Sequence, residues 1–383
     1  MAEGDPSGDA IIAQIASGVS ALDAGEWDAL NGAGNPFVSH AFLGALEESA
    51  SVGSGTGWSP APIIMRDDAG ALAAALPAYL KSHSQGEYVF DHHWADAYER
   101  AGGRYYPKLQ IAAPFSPVPG PRLLFRDAAQ APALLAAAEA VVQQNGLSSA
   151  HATFACESQL GLFRDADWLI RQGTQFHWGN DGYASFDDFL GTLASRKRRA
   201  LRKERAAAQS VVTIETLRGA DIRPEHWDAF WIFYQDTGQR KWGQPYLTRS
   251  FFDKIAASMA DKLVLFLATL DGVPVAGALN ILGPDCLYGR YWGCTRDIPF
   301  LHFELCYYQA IDFAIAHGLP RVEAGAQGEH KLARGYLPVP TWSAHYIPDP
   351  GFRSAIANFL ERETQAVERE QEFLGELGPF KRG

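Results

Sequence analysis

KLVLFLATLDGVPVAGALNILGPDCLYGRYWGCT, residues 262–295, decides the fold. KLVLFLATLDG (262–272) and VPVAGALNILGP (273–284) are two apolar runs joined at Asp271-Gly272, a dipeptide suited to a tight hairpin turn. CLYGRYWGCT (286–295) follows as a third strand. LHFELCYYQAIDFAIAHG (301–318) carries helical periodicity and stops at Gly318, and RVEAGA (321–326) reads as a fourth strand. The order is hairpin, strand, helix, strand.

The first half repeats that plan. APIIMRD (61–67) and ALAAALPAYLKS (71–82) flank the turn Asp67-Asp68-Ala69-Gly70. A loop rich in Pro, Gly and aromatics runs from Tyr88 to Arg122, then an Ala-rich helix closed by Gly146, then the strand SSAHATFA (148–155). Hairpins interleaved with helices indicate an α+β protein, each half a mixed, mostly antiparallel sheet flanked by helices. The expected units are 10–175 and 180–360, with a seam at 172–185 and a helical tail over 361–383.

The 383 residues are 47% hydrophobic and 20% charged, an ordinary globular composition, and the formal net charge is -11. Acidity of that size excludes a general nucleic-acid coat protein. Cys156, Cys286, Cys294 and Cys306 lie far apart with no CxxC pair, so they are expected as free thiols in a reducing compartment. The N-terminus has early acids and no basic region before an apolar core, and LVLFLATL (263–270) is too short to span a membrane. The expected location is the cytoplasm.

Against that acidic background, SRKRRALRKERAAA (195–208) holds seven of the 33 Lys and Arg residues. Ser185 followed by Asp188 suits a helix start, predicting a basic helix over 186–208. Leu190, Leu193, Ala194, Leu201 and Ala208 fall on one stripe, and Arg196, Arg198, Arg199, Arg202 and Lys203 on the opposite arc. Such an arc is either a solvated face or a grip for a local anion, and guanidinium forks suit phosphate. A membrane-surface helix would want Trp on its apolar stripe, which is only Leu and Ala.

Two further clusters could carry chemistry. In EAGAQGEHKLARGYLP (323–338) a strand runs into a loop that gathers Glu323, Glu329, His330 and Lys331, near the strand edge where sheets place ligands. In the first half, EYVFDHHWADAY (87–98) holds Asp91, His92 and His93, but adjacent histidines point apart and no third ligand stands at helical spacing, so no metal site is expected.

The hairpin, strand, helix, strand order resembles the core of the GNAT superfamily of N-acetyltransferases, and two such units in tandem look like the Fem aminoacyl transferases. SHSQGEYVFDHHWADAYERAGGRYYPKL (82–109), SRKRRALRKE (195–204), LHFELCYYQAIDFAIAHGL (301–319) and EAGAQGEHKLARGYLP together resemble the FemAB-like predicted N-acyltransferases of bacteria. The resemblance implies tandem GNAT-like domains and transfer of an acyl or aminoacyl group from an activated carrier to an amine. It gives Lys331 the role of oxyanion stabiliser, because the Fem proteins carry an aromatic-Lys pair there; here the pair is His330-Lys331. His330, with a near-neutral ordinary pKa, is a candidate base. Glu304, in the first turn of the helix from Leu301, is a second candidate base or a structural carboxylate, and Glu323 completes the catalytic set.

The resemblance also points to Tyr288 and Arg290 on the strand that opens the donor cleft, and to Asp91, His92, Tyr106 and Lys108 as a substrate wall. The basic helix would contact a nucleotide-linked or RNA-linked substrate. No tightly bound cofactor is expected; acyl-CoA or aminoacyl-tRNA would be a co-substrate. TRDIPFLHFE (295–304) lacks the Gly-rich pyrophosphate pattern of acetyl-CoA users, which favours aminoacyl-tRNA, whereas the superfamily's habits favour acyl-CoA. A non-catalytic binder of an anionic or phosphorylated cell-envelope precursor is the alternative. The acceptor amine and the oligomeric state are not legible.

Overall fold

The computed structural model describes residues 13–242, 245–325 and 329–381, the side chains of 239–242 and 329 excepted. The first half contains β1 (Ala13–Ile15), α1 (Ala24–Leu30), α2 (His40–Glu48), β2 (Trp58–Pro60), β3 (Ile63–Arg66), β4 (Leu72–Leu76), β5 (Ala78–Lys81) and α3 (His92–Arg100). β6 (Lys108–Ile111), β7 (Leu124–Phe125), α4 (Ala131–Gln144), β8 (Ala150–Ala155), α5 (Leu160–Asp165) and β9 (Leu169–Gly179) complete it. The second half contains α6 (Phe186–Thr192), α7 (Ser195–Gln209), β10 (Thr213–Arg218), α8 (Pro224–Trp242), α9 (Arg249–Ser258), β11 (Leu263–Leu270), β12 (Val273–Leu282) and β13 (Cys286–Cys294). Helix α10 starts as Leu301–Phe303, widens into a π-helical turn over Glu304–Tyr308 and continues as Gln309–Ala316. β14 (Arg321–Glu323), β15 (Leu337–Tyr346) and α11 (Pro350–Glu376) follow.

The class is α+β with mixed sheets, but the expected separate sheets are replaced by a shared one. Eleven strands form one sheet in the order β10-β11-β12-β13-β14-β9-β15-β8-β6-β5-β2, and β1-β3-β4-β7 form a smaller one. β9 leaves the first half to pair with β14, and β15 leaves the second half to pair with β8. β9 and β15 then pair with each other from Leu169↔His345 to His177↔Leu337. The exchange satisfies the backbone edges that β8 and β14 would otherwise expose. Outward from β9–β15 the two directions match: each meets one parallel step, β13–β14 or β6–β8, and antiparallel strands beyond.

Four expected boundaries move. The seam at 172–185 falls within β9 up to Gly179, because the ladder with β15 carries the chain across it. The run 71–82 is two strands in two sheets, parted at Pro77, which has no N–H to donate to a ladder. The basic helix over 186–208 is two helices, since Leu193 is extended (ψ 151) and Ala194 starts the second. The tail helix begins at Pro350 rather than 361, capped by Asp349 accepting from Phe352 N–H.

Apolar cores fill both faces of β11–β13. Phe230, Phe233, Phe251 and Phe252 of α8 and α9 cover one face, and Leu305, Tyr308 and Ile311 of α10 cover the other. Gly293 on β13 permits the first contact, because a Cβ there would lie 2.1 Å from the Phe233 carbonyl oxygen. Among the described residues no helix is long and apolar enough to cross a membrane.

Candidate functional site

β13 and β14 run parallel through Cys286↔Arg321, Leu287↔Val322 and Tyr288↔Glu323. β14 then ends while β13 continues to Cys294, and a cavity of about 240 Å³ opens beside the gap. Asn280, Gly289, Arg290, Cys306, Tyr307 and Gly325 line it, with aromatic walls that include Tyr88, Phe115, Tyr234 and Tyr246. Phe115 and Tyr246 stack at 4.9 Å, so segments from both halves close the space.

A β-bulge aims the polar groups. Register passes from Asn280↔Gly289 to Leu279↔Tyr291, leaving Arg290 as the extra residue. Simple alternation puts Tyr288 and Arg290 on one face; the bulge separates them. Arg290 lines the cavity and donates from Nη2 to the Phe115 carbonyl at 2.9 Å. Tyr288 is 2% exposed, packs edge-on against Phe37 and borders a different groove. Asn280 donates from Nδ2 to the Val264 and Ala278 carbonyls, which fixes its amide and leaves Oδ1 buried without a partner.

Lys331 sits in the helical turn Glu329–Arg334, 1% exposed, with Nζ donating to the Gly325 carbonyl at 2.6 Å. Burial brings its pKa down to about 7; the Cys306 thiol opposes that shift and Arg290 adds to it. His330 beside it is exposed, its Nε2 2.8 Å from the Tyr307 hydroxyl. The side chain of Glu329 lies outside the described residues. Arg290 therefore lines the cavity, and Lys331 and His330 stand behind its wall, bonded to the lining residues Gly325 and Tyr307.

The two carboxylates lie elsewhere. Glu323 turns into a second groove of about 980 Å³ lined by His177, Arg321 and residues of the first half. Arg321 Nε lies 3.3 Å and His177 Nδ1 3.9 Å from its Oε1. Burial pushes the Glu323 carboxyl up to about 7, with Arg321 and Arg290 opposing, and brings His177 down to about 3. Glu304 is 0% exposed and accepts from Arg205 Nε (3.3 Å), Gln209 (2.9 Å) and Gln309 (2.7 Å). Burial raises its pKa, and those donors oppose the rise. Glu304 does not line the cavity; it ties the basic helix α7 to the π-helical turn of α10.

On α7, Leu201 and Ala208 are buried, Arg198 is half-buried, and Arg196, Arg199, Arg202 and Lys203 are exposed. The side facing α10 is fixed by ion pairs from Arg205 to Glu304 and Asp312, and by Glu204 with Arg334 at 2.8 Å. Arg202 reaches Asp187 in a solvent-exposed pair at 2.8 Å.

The substrate wall expected in the first half is a closed ion cluster. Lys108 is 0% exposed, donates to Ser84 (2.9 Å) and Glu87 (2.8 Å), and pairs with Asp91. Tyr105 donates to Asp91 at 2.7 Å, and Lys81 lies 3.7 Å from the centre of the Trp58 ring. Burial alone would raise the Asp91 pKa; the charge of Lys108 holds it below the ordinary range. His92 is exposed at the start of α3, and the Tyr106 hydroxyl sits 2.8 Å from Ser84 Oγ. None of Asp91, His92, Tyr106 and Lys108 lines either cavity, because two buried carboxylates take up the lysine. Beyond β6–β8 the backbone of Gly120 takes up the parallel pairing with Ala155, and Arg122 donates to the Thr153 and Val118 carbonyls, each at 2.7 Å.

Asn280, Cys306 and Tyr307 are site residues that the sequence did not single out. A lone Asn inside the apolar run VPVAGALNIL was a signal for the first; nothing local marks the other two.

The fold is similar to that of solved structures. FemX aligns over 88% of this chain and 98% of its own at 14% identity, TM-score 0.55. The C-terminal domain of a lysylphosphatidylglycerol synthetase from Agrobacterium fabrum aligns over 90% and 96% at 11% identity, TM-score 0.54. L-PGS from Bacillus licheniformis aligns over 82% and 95% at 10% identity, TM-score 0.50. A comparison with curated proteins finds no match. The model of the FemAB-like family, described as peptidoglycan biosynthesis/recognition, matches residues 18–382, and the chain belongs to that family.

Proposed function

We propose that this protein is an N-acyltransferase or aminoacyltransferase that moves an acyl group from an activated carrier to an amine in the β13–β14 cavity. The observation that carries the reading is a buried lysine of near-neutral pKa, anchored on Gly325, which lines a cavity together with Arg290. An amine attacking an ester or thioester creates a tetrahedral oxyanion, and a cation held at a dry wall stabilises it strongly. The bond to Gly325 holds Lys331 in place before reaction, so little reorganisation is required.

The exposed arc of α7 offers phosphate contacts to the carrier. Aminoacyl-tRNA and acyl-CoA both present phosphates, and the short loop before α10 without a Gly-rich turn supports the RNA-linked carrier. Membership in a peptidoglycan biosynthesis/recognition family supports an amine on a cell-wall precursor as acceptor. The test is single turnover with [¹⁴C]-labelled aminoacyl-tRNA and with labelled acyl-CoA, offering peptidoglycan precursors as acceptors. Transfer from either carrier by the parent protein, with loss in Lys331→Met, is the expected result. Equal transfer by parent and variant refutes the assignment.

A further inference from the structure

We propose that Cys306 is the nucleophile of a two-step transfer, holding the acyl group as a thioester before the amine takes it. The proposal deepens the acyl-transfer reading and rests on it.

Cys306 lies in the π-helical turn of α10, half-buried, and lines the β13–β14 cavity. Widened turns of this kind are rare and occur frequently at functional sites. Cys286 is buried in the core, and Cys156 and Cys294 line other spaces. The cavity has a second mark of a ligand: Asn280 Oδ1, on a side chain 1% exposed, has no donor, and its amide cannot turn because Nδ2 is committed to two carbonyls. An unsatisfied acceptor at this depth costs stability unless a bound molecule supplies the donor.

Lys331 supplies the proton acceptor. Its Nζ rests on the carbonyl of Gly325, which lines the same cavity as Cys306. A neutral amine can donate one hydrogen to Gly325 and still keep a lone pair. In the first step the Cys306 S–H proton passes to that lone pair and the thiolate attacks the acyl carbonyl. The C–S bond forms, the carrier C–O or C–S bond breaks, and the carrier leaves as an alcohol or thiol with the proton from Lys331. In the second step the acceptor amine attacks the thioester; the C–N bond forms, the C–S bond breaks, and the amine proton returns through Lys331 to the sulfur. Taking the thiol proton charges Lys331 as the oxyanion develops, so base and stabiliser are one group.

Full-length protein is treated with p-nitrophenyl acetate, and S-acetylation is mapped by peptide mass at Cys306, Cys156 and Cys294. Cys306 is expected to react at least about tenfold faster than the other two, as activated thiols do. The advantage should increase as pH passes about 7 and Lys331 loses its proton. The charged and titratable groups around Lys331 are Arg290 of β13, Cys306 of α10, His177 of β9, and His330 and Arg334 of its own turn. His177 stays neutral across that range, because burial holds it near 3. Lys331→Met, and Lys331→Arg in case the first variant folds poorly, should bring Cys306 down to the rate of the control cysteines.

Equal labelling of the cysteines, or labelling of Cys306 unaffected in a folded Lys331 variant, overturns the proposal. Parent-like turnover by Cys306→Ser overturns the covalent step while leaving direct acyl transfer intact. Absence of turnover with a selectively labelled Cys306 would count against the carrier assignment instead.

Discussion

The Nζ of Lys331 donates to the carbonyl of Gly325 at 2.6 Å, so the turn carrying the lysine is joined to the chain just past β14 at the cavity wall. Lys331→Met keeps an unbranched, nearly as long side chain and removes its cation. Loss of one preorganised oxyanion partner costs about a hundredfold or more in rate. We expect that fall in the single-turnover rate constant, with carrier affinity within about twofold of the parent.

The same residue sets a pH signature of stability. Its folded pKa of about 7 lies below the roughly 10.4 of an unfolded lysine. Between those values the native state binds fewer protons than the unfolded state, so this group makes stability increase with pH and adds nothing to the slope below about 7. Urea midpoints at pH 7 and pH 9 should therefore show the parent gaining on Lys331→Met at the higher pH. Parallel changes in both proteins would mean that the amine titrates as in water.

Arg198, Arg199 and Arg202 test the carrier contact. Replacing all three by Gln should weaken tRNA binding and reduce the slope of log affinity against log salt by about two to three, one counterion per contact. Melting should shift little: the pair from Arg202 to Asp187 is exposed, and such pairs contribute about 0–1 kcal/mol. An unchanged salt slope returns the arc to a solvated face.

Much of this site was legible in sequence because chain order carries it. Asp271-Gly272 marked the hairpin, Gly318 the end of α10, and the loop after RVEAGA the place of Lys331. What escaped depends on contacts across the chain. Nothing near Arg290 announces that a bulge will part it from Tyr288, since bulges arise from pairing with a neighbouring strand. The exchange of β9 and β15 is likewise invisible locally: neither stretch reads as a strand, β9 falling largely in the expected seam, and only the completed sheet gives each its partner. Asp91 and Lys108 entered the expected substrate wall through the family resemblance; their burial and mutual neutralisation are tertiary facts.

Glu304 separates architecture from chemistry. Its carboxylate collects donors from Arg205, Gln209 and Gln309, so Glu304→Ala leaves a half-buried guanidinium short of a partner and should cost about 3 kcal/mol. Glu304→Gln keeps an acceptor oxygen and should cost less than half as much. Rates corrected for folded fraction should match the parent in Glu304→Gln. A large rate loss in a fully folded Gln variant would bring this carboxylate back as the base.

Lys108 gives the sharpest contrast with Lys331, because both are buried lysines in opposite electrostatic settings. Burial opposes the charge of Lys108, but Glu87 and Asp91 outweigh it and raise its pKa, so it stays cationic. Lys108→Met leaves two buried carboxylates with Lys81 as the remaining cation paired among the described residues, 3.9 Å from Glu87, and that amine is itself brought down to about 7 by burial. Stranding buried charges in this way costs about 3–5 kcal/mol. Acidification should recover part of the loss, because Glu87, already pushed up to about 7 by burial in the parent, moves further upward without Lys108 and becomes neutral first. Denaturant midpoints of parent and variant at pH 5.5 and pH 8 measure this: the gap should narrow at the lower pH. A small gap at both pH values would show that solvent reaches the cluster, and that the first half keeps an open polar site there after all.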